Sequence, residues 1–516
     1  MARGPIHGRP VALVLAGILL LAGCGSTVAG VSGSGVLTPS NGSAQNPATG
    51  GLGGSGPATS ALAGGGTALS SGSAGSTAVG SAVTPSGPVG PGLGSTSAPS
   101  GNGPGVTATT INIGAVYCSD CNAANAAVGA TGQNTGNPQA EMNAVIDYVN
   151  AHGGVAHRKL VPIWFSGSVS QSASTSEQEE CAYFEQDHHV FIIQTLGSQI
   201  LNACVAKSHV LGLDAGVVAE STSAVDKQFP ASIDLTGPNI DGLMAVTIDG
   251  LAQQGYFGKG KVGIITWDNP YYTWSVTHGA NPALARLGLR GVPVEYVTAP
   301  QQYSDVGASS ASVSSAVLKF RGQGIDHVIL CDGYVGVNAG GLLCLEWMQQ
   351  ANQQQYYPTN GLNSTCGFSS NTSLYPAQQL VGSVGVGWIP IFDETPTDYP
   401  PSKLPPLGRL CLEIMKQAGQ SAAPGTNQEY GQLAACDRIF FVQQVLGKIR
   451  GPINQATALA AINAAGTSFQ PGETFGTYLS ASQHAGLSKV ANIAYVPSCT
   501  CYRYTSAPYN IRRRTA

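Results

Sequence analysis

Cys118-Ser119-Asp120-Cys121 is the segment with the plainest chemical potential: two thiols three positions apart, directly behind an apolar run. A CxxC that exchanges disulfides needs a lowered thiol pKa, which a helix N-terminus supplies. Here Asn, Ala and Gly residues follow for a dozen positions before the next capped helix. A local disulfide, or free thiols lining a cleft, fits better than redox exchange. Zinc would need two further ligands; Cys499-Thr500-Cys501 has suitable atoms, but nothing in the spacing demands the ion. The segment from Gly255 to Val262 comes close to a phosphate-binding loop. Yet Val262 stands where Ser or Thr must hold magnesium, and the segment precedes a strand instead of following one. His188-His189 lacks the helical spacing of a zinc pair and reads as a solvated turn. No Gly-x-Ser-x-Gly elbow occurs after residue 106. These residues predict neither catalysis nor a metal or other cofactor.

The remaining chemistry sits at the ends of the chain. Arg3 and Arg9 precede the short apolar run Val11 to Leu21, which closes in Leu21-Ala22-Gly23-Cys24. About 20 apolar residues are needed to span a bilayer, so the run reads as an export signal over residues 1–23. The ending looks like a bacterial lipobox, with Cys24 as the site of lipidation and membrane anchoring. Residues 24–107 are almost wholly Gly, Ser, Ala, Thr, Pro and Val and bury too little to fold. As a flexible coil their ends would average roughly 50 Å apart, a tether between lipid and domain. Of twelve cysteines, eleven remain without Cys24, so at least one is unpaired. Cys181 with Cys204, on two successive predicted helices, is the favoured pairing; Cys344 with Cys366 and Cys411 with Cys436 are further candidates. A net charge of −4, with 10% charged residues, leaves no electrostatic footprint for nucleic acid. The tail 508–516, with Arg512, Arg513 and Arg514, reads as a solvated end.

The elements that would position a site begin at Thr110. Ile111 to Val116 is a short apolar run of the kind a buried parallel strand makes. Asn137-Pro138 supplies an N-cap and a first-turn proline to a helix carrying Met142, Val145, Ile146 and Val149 at helical spacing. Strands follow at 160–165, 190–194 and 210–213, with helices at 175–187 and 198–208 between them. A second series starts at Asn239: a helix to Gln253, strands at 262–266, 292–297 and 327–330, and helices at 273–287, 310–321 and 342–351. Strands separated by helices of this length specify right-handed βαβ units, and two series predict two doubly wound parallel sheets. Ligands of such sheets lie beyond the carboxyl ends of the strands. That places Tyr117 and the loops near 195–199, 214–219, 267–273, 331–341 and 360–368 on one cleft.

The segments INIGAVY (111–117), AVIDYVNAHGGVAHRKLVPIWF (144–165), FIIQTLGSQILNACVAKSHVLGL (191–213), FGKGKVGIITWDNPYYTW (257–274) and VLKFRGQGIDHVILCDGY (317–334) resemble the branched-chain amino-acid (Leu/Ile/Val)-binding family of ABC transporter substrate-binding proteins. The likeness implies the type I periplasmic binding fold: two Rossmann-like α/β lobes joined by a three-crossing hinge. Lobe 1 would comprise 108–232 and 388–484, and lobe 2 would comprise 233–387 and 485–507. In that family a ligand is gripped by the loops after the third and fourth strands of lobe 1, here Gly197 and Ser198, then Asp214, Gly216 and Val217. Ser198 serves equally as a plain N-cap. Lobe 2 would add an aromatic group at Tyr334 and an acidic group near Asn363, where this chain has no carboxylate. A buried ammonium without a counter-charge costs several kcal/mol, so acids or amides are expected over zwitterions unless Asp268, Asp332 or Asp214 substitutes. Asp268 and Tyr271 lie in a loop rich in recognition side chains that also suits an ordinary turn, and Trp274 is expected in the core. The resemblance implies a non-enzymic, extracytoplasmic protein that takes a small polar molecule (an amino acid, amide or related small acid) to the membrane permease of an ABC-type importer. A sensing lipoprotein signalling to a receptor, or a tethered cell-wall enzyme, are the alternatives.

Overall fold

The computed structural model describes residues 101–127, 135–194, 198–258, 260–333 and 341–511. Strand β1 (Thr110–Cys118) buries Ile111, Ile113, Gly114 and Ala115, and its register against β2 (Lys159–Gly167) is parallel along all nine positions. Gly114 has to be glycine, because a Cβ there would meet the Phe184 ring at 2.9 Å. Between them lie α1 (Cys121–Ala127) and α2 (Pro138–Ala151). Asn137 caps α2 by accepting the Ala140 N–H at 3.1 Å, and Met142, Val145, Ile146 and Val149 form its buried face. Each such side chain contributes about 1.5–3 kcal/mol on burial. The chain continues through α3 (Ala173–Ala182), β3 (Ile192–Ile193), α4 (Gln199–Ser208), β4 (Leu211–Asp214), α5 (Ser223–Gln228) and β5 (Ser232–Asp234). Among the described residues these strands form a five-stranded sheet, order β2-β1-β3-β4-β5, parallel throughout.

Helix α6 (Ile240–Gln253) opens the second series, with Asn239 as its N-cap. Then come β6 (Val262–Asp268), α7 (Pro270–Ser275), α8 (Asn281–Arg286), β7 (Val294–Thr298), α9 (Val306–Gln323), β8 (His327–Cys331), α10 (Leu342–Gln353) and β9 (Thr359–Asn363). Short helices α11 (Phe368–Asn371) and α12 (Ala377–Leu380) precede β10 (Val384–Gly387). The chain then supplies α13 (Pro390–Asp393), α14 (Pro406–Gln417), α15 (Asn427–Val445) and α16 (Gln455–Asn463) before β11 (Lys489–Val496), β12 (Cys501–Tyr504) and β13 (Tyr509–Asn510). The second sheet runs β12-β11-β10-β9-β8-β6-β7, with β13 on β11. Its β7-to-β10 part is parallel, while β11, β12 and β13 pair antiparallel, an edge the helix–strand alternation does not announce. Helix α15 packs against α2 on the first sheet, although β10 before it and β11 after it belong to the second.

Five disulfides join described residues: Cys118–Cys121, Cys181–Cys204, Cys344–Cys366, Cys411–Cys436 and Cys499–Cys501. Cys331 is the free thiol among them, fully buried and pushed up to about 12 by that burial. Cys24 and the segment 1–100 lie outside the described residues. Trp274 departs from its expected place in the core: it is 39% exposed and stacks on His278, with ring centroids 3.6 Å apart.

Candidate ligand-binding site

A cavity of about 340 Å³ opens beyond the carboxyl ends of the strands. Its walls come from the end of β1 (Val116, Tyr117, Cys118), the start of α1 and α2, the loop after β4 (Asp214 to Val218), the face of α15, and the turn after β9 (Ser364, Thr365, Gly367). Both sheets therefore contribute. Two aromatic pairs brace it: Tyr117 meets Trp164 edge-on at 6.4 Å, and Phe392 lies against Tyr430 at 4.5 Å. The Cys118–Cys121 disulfide forms part of the wall, and α1 begins at Cys121. The CxxC thus does open a short helix, where the Asn, Ala and Gly run predicted none; the alanines of CNAANAA carry enough helix propensity for two turns. Gly431 sits mid-helix in α15 and lines the cavity, where a Cβ would meet nothing within 4 Å. A mid-helix glycine costs about 1 kcal/mol relative to alanine, and here its missing side chain leaves the space open.

The charged groups of the wall are few and mostly engaged. Glu141 on α2 accepts from Gln428 at 2.8 Å and Gln432 at 2.9 Å, one turn apart on α15. Burial raises its pKa, and the two amides offset part of that rise. Asp214 pairs with Arg438 at 3.1 Å, with their side chains 4% and 13% exposed. Behind this pair, burial and the neighbouring Asp214 raise Asp234, although the Thr236 and Gly237 amides donate to it. Burial likewise raises Asp437, which accepts from the Gly472 and Glu473 amides. Trp388, on the segment leaving β10, donates its indole N–H to the Val217 carbonyl at 3.0 Å. That bond ties the second sheet's exit to the cavity loop of the first.

The fold is similar to that of several solved structures. A possible leucine/isoleucine/valine-binding protein from Rhodopirellula baltica SH 1 matches with a TM-score of 0.53 at 14% identity, covering 77% of this chain and 97% of that one. The fold is that of the type I periplasmic binding proteins. A solute binding protein of an ABC transporter from Rhodopseudomonas palustris BisB5, in complex with 3,4-dihydroxy benzoic acid, matches with a TM-score of 0.53 at 13% identity, covering 78% of this chain and 97% of its own. A fatty acid ABC transporter substrate-binding protein from Thermomonospora curvata matches with a TM-score of 0.52 at 15% identity, over 80% and 95% of the two chains. No protein-family model matches the sequence, and no curated protein matches it.

Within this periplasmic binding fold, Tyr117, Asp214, Gly216 and Val217 line the cavity. Ser198 lies just outside it: its hydroxyl accepts the Leu201 N–H at 3.3 Å and donates to Glu177, so it is both an N-cap and a carboxylate partner. Asn363 is fully buried beneath the cavity, where Nδ2 donates to Thr247 at 3.2 Å and Oδ1 accepts from the Thr365 amide at 2.9 Å. Its neighbours Ser364 and Thr365 reach the lining in its place. Asp268 is exposed at the end of β6, and Asp332 is spent on the Trp267 indole and the Gly333 and Cys344 amides. Burial pushes Asp332 up to about 7. Tyr271 reaches from α7 to the first sheet's side, donating to Gln199 Oε1 at 3.3 Å. Gly197 and Tyr334 lie outside the described residues.

Sequence reasoning passed over Glu141, Arg438, Glu177, Glu180 and Glu220. Helical spacing held the signal for two of them. Glu177 and Glu180 stand four residues before Cys181 and Phe184, the positions read as inward-facing, so they share that face of α3.

Proposed function

We propose that this chain is an extracytoplasmic solute-binding protein that captures a small organic molecule with an apolar body and presents it to an ABC-type permease. The observation that carries the reading is the two-sided cavity of about 340 Å³, within the size range of small-molecule sites. In this reading lobe 1 spans 108–232 and 388–484, and lobe 2 spans 233–387 and 485–507. A ligand that touches both lobes only when they approach one another favours the closed form by that difference in contact. Residues 1–23 direct export, and Cys24 carries the lipid that holds the chain, through the tether 24–107, at the membrane face. The reading is one of capture and release, not catalysis.

A thermal-shift screen of small acids, amides, amino acids and amines finds the ligand, and small-angle scattering with and without it tests the clamp. Compaction on binding is the expected result; an unchanged radius of gyration removes the clamp. For the anchor, Cys24→Ala shifts the protein from the membrane fraction to the medium, and an unchanged distribution rules out lipidation there.

A further inference from the structure

Beside the cavity lies a cluster of carboxylates with no counter-charge. Glu177 and Glu180 stand on one face of α3, which packs against α4, and Glu220 lies in the loop after β4. From the second sheet's side α7 brings Tyr271, bonded to Gln199 at the start of α4, and Tyr272. Among the described residues no lysine, arginine or histidine pairs with any of the three glutamates. Burial raises all three pKa values, and Glu177 adds to the rise of Glu180 and Glu220. Two buried polar atoms at this corner have no partner. Glu180 is 5% exposed and its Oε1 makes no hydrogen bond. Tyr272 is fully buried, its hydroxyl makes none, and Glu220 is the carboxylate that weighs most on it. That hydroxyl also lies against Gly333 on the rim after β8, where a Cβ would meet it at 2.2 Å.

We propose that this corner, formed by Glu177, Glu180 and Glu220 with Tyr271 and Tyr272, receives the cationic head of the ligand, an organic ammonium whose apolar body fills the adjoining cavity. The inference rests on the capture reading and specifies its ligand class. The two sites adjoin: the loop after β4 gives Val218 to the cavity and Glu220, two residues on, to the corner, a Cα separation of at most about 7 Å. A protonated amine suits three separated acceptors and a phenol oxygen. A bare metal ion does not, since among the described residues only Cys181, Glu185 and Cys204 bring three candidate ligand atoms within 4.8 Å of one another. Those two sulfurs are joined in a disulfide and offer no thiolate. The charge count points away from acids, because the cavity's cation, Arg438, is already held by Asp214.

The test uses the full chain with matched probes: hexylamine and 2-phenylethylamine, the corresponding hexanoate and 3-phenylpropanoate, the corresponding amides, and calcium chloride alone. Calorimetry is expected to show binding of the amines, weakened at least about tenfold by Glu220→Gln and by Glu177→Gln, the scale of one charge-assisted contact. Asp268→Asn, outside the corner, is expected to leave it unchanged. Binding of acids or amides in preference to amines overturns the inference and leaves capture standing. A response to calcium that Glu220→Gln abolishes, without amine binding, makes the corner a metal site instead. No binding by any class removes the capture reading along with the inference. Folding of the variants is read separately: without ligand at neutral pH, Glu180→Gln is expected to raise the melting temperature, and a fall would mean that the carboxylate already has a partner.

Discussion

The two ends of the cleft treat charge in opposite ways. At the cavity end each charged group of the wall is answered: Asp214 by Arg438, and Glu141 by two glutamines of α15. At the corner three glutamates and two tyrosines face one another, and the Ser198 hydroxyl donates to Glu177. Buried charges that a fold needs for itself come with partners, because an unpaired one costs several kcal/mol. At the corner no cation of the described residues pairs with the carboxylates, and the proposed ammonium supplies one. The difference between the ends separates the part of the site that holds shape from the part that waits for charge.

Converting the cavity end into a second corner is the most damaging way to break this contrast. Arg438→Leu leaves Asp214 buried beside Asp234, Asp437 and Glu473 with no cation. Removing one partner of a buried pair costs about 3–5 kcal/mol, so denaturant unfolding should show a loss of that order. Arg438→Leu with Asp214→Leu should recover much of it, since the charge left unpaired goes as well. A single variant as stable as the parent would show that the pair lies in water.

Filling the cavity attacks ligand capture without touching charge. Gly431→Phe projects a ring into open space from a helix that gains propensity by losing glycine. Affinity for the ligand should fall by about a hundredfold, or ~2.7 kcal/mol, with stability held or raised. Retained affinity would put the ligand elsewhere in the cleft.

At the corner the contrast shows as pH dependence. Glu180 is almost wholly buried and its folded pKa lies well above 4.5 because of burial and then Glu177. A raised carboxylate contributes stability that is complete below the unfolded value and is lost as pH rises through the folded one. The melting temperature should therefore decline as pH climbs above 4.5, and Glu180→Gln should flatten part of that decline. Other carboxylates raised by burial, among them Asp332, Glu346 and Asp393 at about 7 and Asp234 at about 8, retain the remainder, so the difference between parent and variant is the quantity to read.

The architecture was legible because it rests on periodicity. The capped helices at Asn137 and Asn239 and the apolar strands at 111 and 262 appear where spacing put them. The antiparallel edge β11–β13 was not, because Lys489 to Asn510 carries no helix between its strands and so lacks the alternation that marked the others. At the site, position after a strand located Tyr117, Asp214, Gly216 and Val217 on the cavity. The charged partners escaped, since Arg438 and Asp214 lie 224 residues apart and only the packing of α15 joins them. Asn363 illustrates the converse, a residue in the right loop whose side chain turns into the interior to satisfy Thr247 and Thr365.

The smallest effects come from the two bonds that span the cleft, and they sharpen the contrast because each belongs to one end. Trp388 is fully buried and its indole N–H reaches the Val217 carbonyl at 3.0 Å, whereas Tyr271 is part-exposed and meets Gln199 at 3.3 Å. A buried hydrogen bond contributes about 0.5–1.5 kcal/mol, and losing one partner strands the other. Trp388→Phe should cost roughly that much, with a further loss from the vacated volume. Tyr271→Phe leaves Gln199 free to bond water, so unfolding should change by no more than about 0.5 kcal/mol. If the corner takes the ligand's ammonium, Tyr271→Phe should nonetheless weaken binding of 2-phenylethylamine while Trp388→Phe alters stability first. Equal effects of the two changes on stability and affinity would mean that the cleft is one uniform wall.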